Sequence, residues 1–243
     1  MPKIKNFQEL AIYIINNLGR IFKNHAILKG GMILNLIGSP RHTNDIDYTF
    51  IPFKSKKDVK DLIYNELKNL LDCEITYSIN SKCLRFFIKY NENIKLQIEV
   101  NVSDECKSIE FSTMDISKIN NQIGQIIRIM NYDIALAHKI CAWNERRLIR
   151  DLYDIYYFVN IINVIPDIDI IKQRLLKTQQ KNKKVKMTIK DLIIELKKCS
   201  EKLTLRDIEN ELRDYLPEHE IPGLDKKIII SLNKVIDSLQ KHI

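Results

Sequence analysis

The stretch LKGGMILNLIGSPRHTNDIDYTF, residues 28–50, decides how this chain is read. Two adjacent glycines stand in a chain that has only six among 243 residues. They precede a short apolar run, a polar loop punctuated by Pro40, and then Asp45-Ile46-Asp47. In DIDYTFI (45–51), Ile46, Tyr48 and Phe50 alternate with Asp45, Asp47 and Thr49, which predicts a half-buried strand. AILK (26–29) predicts a strand that stops at Gly30-Gly31, and MILNLIG (32–38) a short helix closed by Gly38. Two carboxylates two apart on a strand share a face. Side by side they repel unless a cation lies between them. Hard divalent cations such as Mg²⁺ take oxygen ligands of this kind and keep sites open for phosphate oxygens. A glycine pair lets backbone N–H groups come close to a phosphate. Each feature alone is a weak signal, since most Gly-Gly pairs are turns and many paired aspartates are solvated strand faces.

Outward from this stretch, Phe7 to Phe22 carries apolar residues at helical spacing, and Lys56 to Leu71 predicts an amphipathic helix. EITYSI (74–79), LRFFIKY (84–90) and IKLQIEV (94–100) predict three successive strands. That order implies an α/β domain with a mixed sheet. From Tyr132 the pattern turns helical, with YDIALAHKICAWNERR (132–147) and LIRDLYDIYYFVNII (148–162) as a helix pair. Pro166 excludes helical geometry at Ile165 and marks the next break. The expected division is a first domain over 1–165 and a helical C-terminal domain over 166–243. Within the latter, residues 171–190 carry eight basic residues and no acid.

The composition is that of a folded protein: 45% of residues are apolar, enough for a packed core. A net charge of +8 favours a polyanionic partner, although a Lys-rich solvated surface explains it equally well. Five scattered cysteines show no zinc-ligand spacing and suit a reducing compartment. The N-terminus lacks the apolar core of a signal peptide, and no apolar run is long enough to span a bilayer. The expectation is a cytoplasmic protein without a membrane partner.

The combination of Gly-Gly turn, short helix and Asp-x-Asp strand resembles the nucleotidyltransferase superfamily that includes DNA polymerase β. More narrowly, KGGMILNLIGSPRHTNDIDYTF is similar to the AbiEii/AbiGii toxin family, with its Gly-Gly turn followed by Arg-x-Thr/Ser-x-Asp-Ile-Asp. The likeness returns at AHKICAWNERRLIRDLYDIYYF, which resembles that family's Lys-x-x-Ala…Arg…Arg-Asp-x-x-Asp helix pair. The two blocks span roughly 26 to 158. What the resemblance implies is a polymerase β-like domain with a mixed sheet, followed by a helical domain. It also implies Mg²⁺-dependent transfer of a nucleotide from an NTP to an acceptor hydroxyl. Two Mg²⁺ ions, or Mn²⁺ in their place, would be held by Asp45, Asp47 and a third carboxylate. Gly30, Gly31, Arg41, Thr43, Lys139 and Arg150 would bind the nucleotide, and Asp154 would act near the reacting groups. The implied acceptor is RNA, the 3′ end of tRNA foremost, and the implied partner is a cognate antitoxin.

For the third carboxylate the residues themselves offer Glu99. In KLQIEV, Lys95, Gln97 and Glu99 share one face, opposite Leu96, Ile98 and Val100. Asp104 and Glu105 are the alternatives. Glu99 or Asp154 is the candidate base. Arg150 and Asp154, at i and i+4, form a candidate ion pair on the helix that also carries Asp151. Arg146 and Arg147 are both candidates for the family's arginine. Tyr153, Tyr156, Tyr157 and Phe158 read as core, His138 as structural and His42 as a solvated loop residue. The sequence is compatible with two other functions. One is a nucleotidyltransferase acting on a small molecule or a protein; the other is a non-catalytic nucleotide- or nucleic-acid-binding protein on the same scaffold.

Overall fold

The computed structural model describes residues 4–181 and 188–242. They divide into two compact units. The first holds the described residues up to Gly38 and Thr43–Asn131; the second holds Ser39–His42 and the described residues from Tyr132 onward. The chain therefore leaves the first unit for four residues between the Gly-Gly helix and the Asp-x-Asp strand. The boundary expected near 165 lies instead at 131/132. The apolar faces of the 132–161 helices pack into the C-terminal bundle, so Pro166 interrupts one bundle rather than separating two domains. Lys183, Lys184 and Lys186 of the basic run lie outside the described residues.

In the first unit the order is α1 (Phe7–Phe22), β1 (Ala26–Lys29), α2 (Gly31–Leu36), β2 (Asp45–Phe50), α3 (Lys56–Leu70), β3 (Glu74–Ile79), β4 (Leu84–Lys89), β5 (Lys95–Val102), β6 (Ser108–Ser112), α4 (Met114–Ile119) and β7 (Ile126–Met130). The strands form one mixed seven-stranded sheet, ordered β3-β4-β5-β2-β1-β7-β6. β2 runs parallel to β5 and antiparallel to β1, and β1 is parallel to β7. Alternation sorts the two faces. Phe86, Ile98 and Ile46 are register partners on one face and are fully or nearly fully buried. On that face Phe22 of α1 meets Phe50 edge-on at 5.1 Å, and Tyr64 of α3 meets Tyr77 at 5.6 Å. Helices α1 and α3 thus cover the face opposite Asp45 and Asp47. The α1 helix starts where Asn6 caps the Glu9 N–H, and α3 starts at a Ser55–Asp58 capping box.

The second unit continues with α5 (Tyr132–Arg146), α6 (Ile149–Tyr156), a π-helical turn at Tyr157–Ile161, α7 (Ile168–Lys181), α8 (Ile189–Lys202), α9 (Leu205–Leu212) and α10 (Leu224–Gln240). Thr188–Asp191 and Thr204–Asp207 capping boxes start α8 and α9. Ile228, Leu232, Val235 and Leu239 of α10 form a buried stripe against α6, α8 and α9. No helix of the described residues is long and apolar enough to cross a membrane.

A close approach holds α1 on the sheet. A Cβ on Gly19 would lie 2.4 Å from Cγ2 of the buried Ile127 on β7. Replacing a mid-helix glycine by alanine gains about 1 kcal/mol of helix propensity. Overpacking a rigid β-branched neighbour costs roughly 1–3 kcal/mol, so the clash wins. Gly19→Ala should lower stability by about 1 kcal/mol in urea denaturation; an increase in stability would mean that α1 and β7 separate freely.

Candidate active site

At the end of β1 the chain turns at Gly30, with φ 76° and ψ −155°, into α2. Positive φ already favours glycine. A second constraint is stricter: a Cβ on residue 30 would sit 2.1 Å from Asp47 Oδ2 and 2.8 Å from its Cγ. The Asp47 carboxylate occupies the place where any other side chain would begin. Gly31 follows as the first residue of α2 and is buried.

Strand register assembles the rest. Asp47 pairs with Glu99 across β2/β5 and with Lys29 across β1/β2, while Glu99 pairs with Arg85 across β4/β5. Directly opposed residues share a face. The sheet therefore carries the row Arg85–Glu99–Asp47–Lys29, two acids flanked by two cations. Asp45, opposite Gln97, stands on the same face one row along, and is exposed. Arg85 Nε donates to Glu99 Oε1 at 2.7 Å, and Gln97 Nε2 donates to the same oxygen at 3.0 Å. The bond to Glu99, and then its charge, push the Arg85 guanidinium above its ordinary pKa. With its amide oriented to satisfy both neighbours, Asn101 accepts from Lys29 Nζ at 3.1 Å and donates to the Lys82 carbonyl at 2.8 Å. Asp104 and Glu105 are exposed beyond the end of β5.

Among the described residues, no three Asp, Glu, His or Cys side chains form a ready metal cluster. The donor set nevertheless fits a hard divalent cation. It is all oxygen, it lies on one sheet face, and the missing Cβ at Gly30 makes room for the Asp47 carboxylate there. Both bonds to Glu99 fall on Oε1, which leaves Oε2 outside them.

In the second unit, Asp154 bonds directly to both Arg41 and Lys139. Arg41 Nε donates to Asp154 Oδ1 at 2.8 Å and its Nη2 to Oδ2 at 3.3 Å. Lys139 Nζ meets Asp154 Oδ2 and lies 4.0 Å from Asp151 Oδ1. Arg146 forms a two-pronged pair with Asp151, both bonds at 2.6 Å, so Arg146 rather than Arg147 joins this network. Asp151 and Asp154 are 0% and 1% exposed, so this is a buried charged network. The i,i+4 pairing of Arg150 with Asp154 is displaced: Arg41 and Lys139 take both Asp154 oxygens, while the Arg150 backbone N–H donates to Glu211. Arg41 is held in place by its own segment. Its backbone N–H donates to Ser39 Oγ, the His42 N–H donates to the Tyr215 carbonyl, and Ser39 Oγ lies 3.4 Å from the Tyr153 hydroxyl. Burial pushes that Tyr153 hydroxyl pKa up. Thr43, half-buried, opens the return to the first unit. His138 contacts Arg174 at 2.9 Å, and His42 is exposed.

A family model described as "Nucleotidyl transferase AbiEii toxin, Type IV TA system" matches residues 18–228. The chain belongs to this AbiEii nucleotidyltransferase toxin family. It is a transferase, and a family of type IV toxin–antitoxin toxins implies an antitoxin partner. No curated protein matches the sequence. Among solved structures, the AbiEii chain is similar to JHP933 from Helicobacter pylori, with 16% identity over 97% of this chain and 93% of that one, TM-score 0.57. It is also similar to MenT4, a nucleotidyltransferase toxin from Mycobacterium tuberculosis H37Rv, with 15% identity over 96% and 85% of the two chains, TM-score 0.55. At these identities the likeness is one of fold.

Sequence alone does not single out Arg85, although the alternation of LRFFIK places Arg85, Phe87 and Lys89 on the polar side. What sequence could not supply was the register that sets Arg85 against Glu99. The buried network yields a stability prediction. Removing one partner of a buried ion pair costs about 3–5 kcal/mol, because the remaining charges stay buried and uncompensated. Asp154→Ala should therefore destabilise the chain by about 3 kcal/mol or more in urea denaturation. A loss below about 1 kcal/mol would place the pair in the weak, solvent-screened class.

Proposed function

We propose that this AbiEii toxin transfers a nucleoside monophosphate from an NTP to a hydroxyl of RNA, the 3′ end of tRNA foremost, and that it needs Mg²⁺ to do so. The observation that carries the proposal is the fit of Gly30 against Asp47 beside Asp45 and Glu99 on one sheet face. Asp45, Asp47 and Glu99 would hold two Mg²⁺ ions, with Mn²⁺ as a substitute. Bound there, the ions would neutralise charge on the α-phosphate and stabilise the attacking and leaving oxygens. The acceptor oxygen forms a new bond to the α-phosphorus, the bond from that phosphorus to the bridging oxygen breaks, and pyrophosphate leaves. The acceptor proton passes to Glu99, the carboxylate of this face with an oxygen outside its bonds to Arg85 and Gln97. Gly30 and Gly31 bring backbone rather than side chains to the triphosphate next to Asp47.

For Arg41, Thr43, Lys139 and Arg150 the assignment to the nucleotide rests on the family resemblance. In the second unit Asp154 accepts from Arg41 and Lys139, which suits a positioning role better than that of a base. The basic composition of 171–190 supports a nucleic-acid acceptor over a small molecule or a protein.

The test is to incubate the chain with each labelled NTP and total RNA, with and without Mg²⁺. Label should enter RNA only with the metal. Asp45→Asn and Asp47→Asn should each reduce transfer by about a thousand-fold or more, the loss of several kcal/mol of transition-state stabilisation, with the fold intact by circular dichroism. Glu99→Gln should lose most of the rate; full activity there would move the third ligand to Asp104 or Glu105. An Asp47→Asn variant with wild-type transfer would end the assignment. Label entering protein or small molecules instead of RNA would correct the acceptor.

A further inference from the structure

On β2, β3, β4 and β5 the Asp45/Asp47 face exposes one large apolar side chain: Phe87, 42% exposed. It stands in the row Thr76–Phe87–Gln97–Asp45, fixed by register across the four strands. The next row outward is Glu74–Lys89–Lys95. Alternation calls for a polar residue at 87, as at Arg85 and Lys89 on either side, so an aromatic ring here forgoes burial in the core. Its ring borders a groove of about 370 Å³ lined also by Asn44, Thr76, Gln97, Lys89 and Lys95. That volume lies in the range of small-molecule sites. One flat aromatic ring, two side-chain amides and a hydroxyl match a nucleobase, which stacks by its face and hydrogen-bonds by its edge. Two cations against the single acid Glu74, with Lys89 partly engaged by Glu92, match an attached phosphate.

The position relative to the carboxylates selects which nucleobase. In a two-metal in-line displacement the attacking and leaving oxygens lie on opposite sides of the phosphorus. Gly30 touches Asp47 from the β1 side, and Phe87 lies on the other side, beyond β5. Two strand spacings put β4 roughly 10 Å from β2, a span one nucleotide bridges. We propose that the groove at Phe87 is the acceptor subsite, where the 3′-terminal nucleobase of a single-stranded RNA end stacks on Phe87 beside Gln97 while Lys89 and Lys95 meet its phosphates. This rests on the transferase reading above, with pyrophosphate leaving on the Gly30 side.

The test separates binding from catalysis. The full chain is titrated into a 5′-labelled single-stranded RNA octamer with a free 3′ hydroxyl, followed by fluorescence anisotropy across a salt series, without NTP. Phe87→Ala should weaken binding about five-fold or more, the loss of one stacked base, with an unchanged salt slope, and Phe87→Trp should restore it. Lys89→Gln with Lys95→Gln should weaken binding and flatten the slope. NTP affinity, measured separately without RNA, should stay at the wild-type value in every variant. Unchanged RNA binding in Phe87→Ala overturns the proposal, and so does a loss of NTP affinity, which would assign the groove to the donor base. If RNA binding responds as expected but no labelled NTP enters RNA, the groove stands as an RNA-end site and the transfer reading fails instead.

Discussion

The carboxylate of Asp47 lies where a side chain on residue 30 would have to begin. That packing and the strand register together build the acidic face. Strand β1 ends in a turn with positive φ, α2 starts at once, and β2 runs antiparallel to β1 with Asp47 opposite Lys29. The loop between α2 and β2 is then free to belong to the second unit, where Arg41 is buried against Asp154. A glycine pair that looks like an ordinary turn thus leaves the space that the Asp47 carboxylate fills.

Charge balance along the sheet is the second constraint. Two carboxylates paired across β2 and β5 repel, and Lys29 and Arg85 at the ends of the row offset that repulsion. Arg85 also orients Glu99 through Oε1. The acidic face is accordingly stable before any cation arrives, which a site built from bare carboxylates would not be. The second unit meets the opposite problem, full burial of Asp151 and Asp154, and meets it with Arg41, Lys139 and Arg146. Such networks are worth little as net stability, but they are costly to break and fix geometry.

Much of this was legible beforehand. The alternation of KLQIEV and of Asp45–Tyr48 gave the correct buried and polar faces, because period-2 patterning is a direct consequence of the pleat, whereas Thr49, on the polar side by alternation, is buried. The long helices were legible from their apolar spacing. The strands Ser108–Ser112 and Ile126–Met130 were not assigned: both are short, and an apolar run such as IIRIM does not distinguish strand from helix. The family, its transferase class and its fold were legible from two motif blocks. Pairings that depend on register or tertiary contact were hidden, above all Arg85 with Glu99 and Arg41 with Asp154, residues 113 apart in sequence. The domain boundary moved for the same reason, since a proline marks a local break but says nothing about which helices pack together.

The proposed binding of divalent ions to this sheet face can be read from anomalous diffraction by crystals of the full chain grown with Mn²⁺ and a non-hydrolysable NTP. Anomalous peaks are expected at coordination distance from the carboxylates of both Asp45 and Asp47, with the triphosphate on the Gly30 side of them. Mn²⁺ peaks elsewhere, or a nucleotide bound with no metal density at these two aspartates, would contradict it.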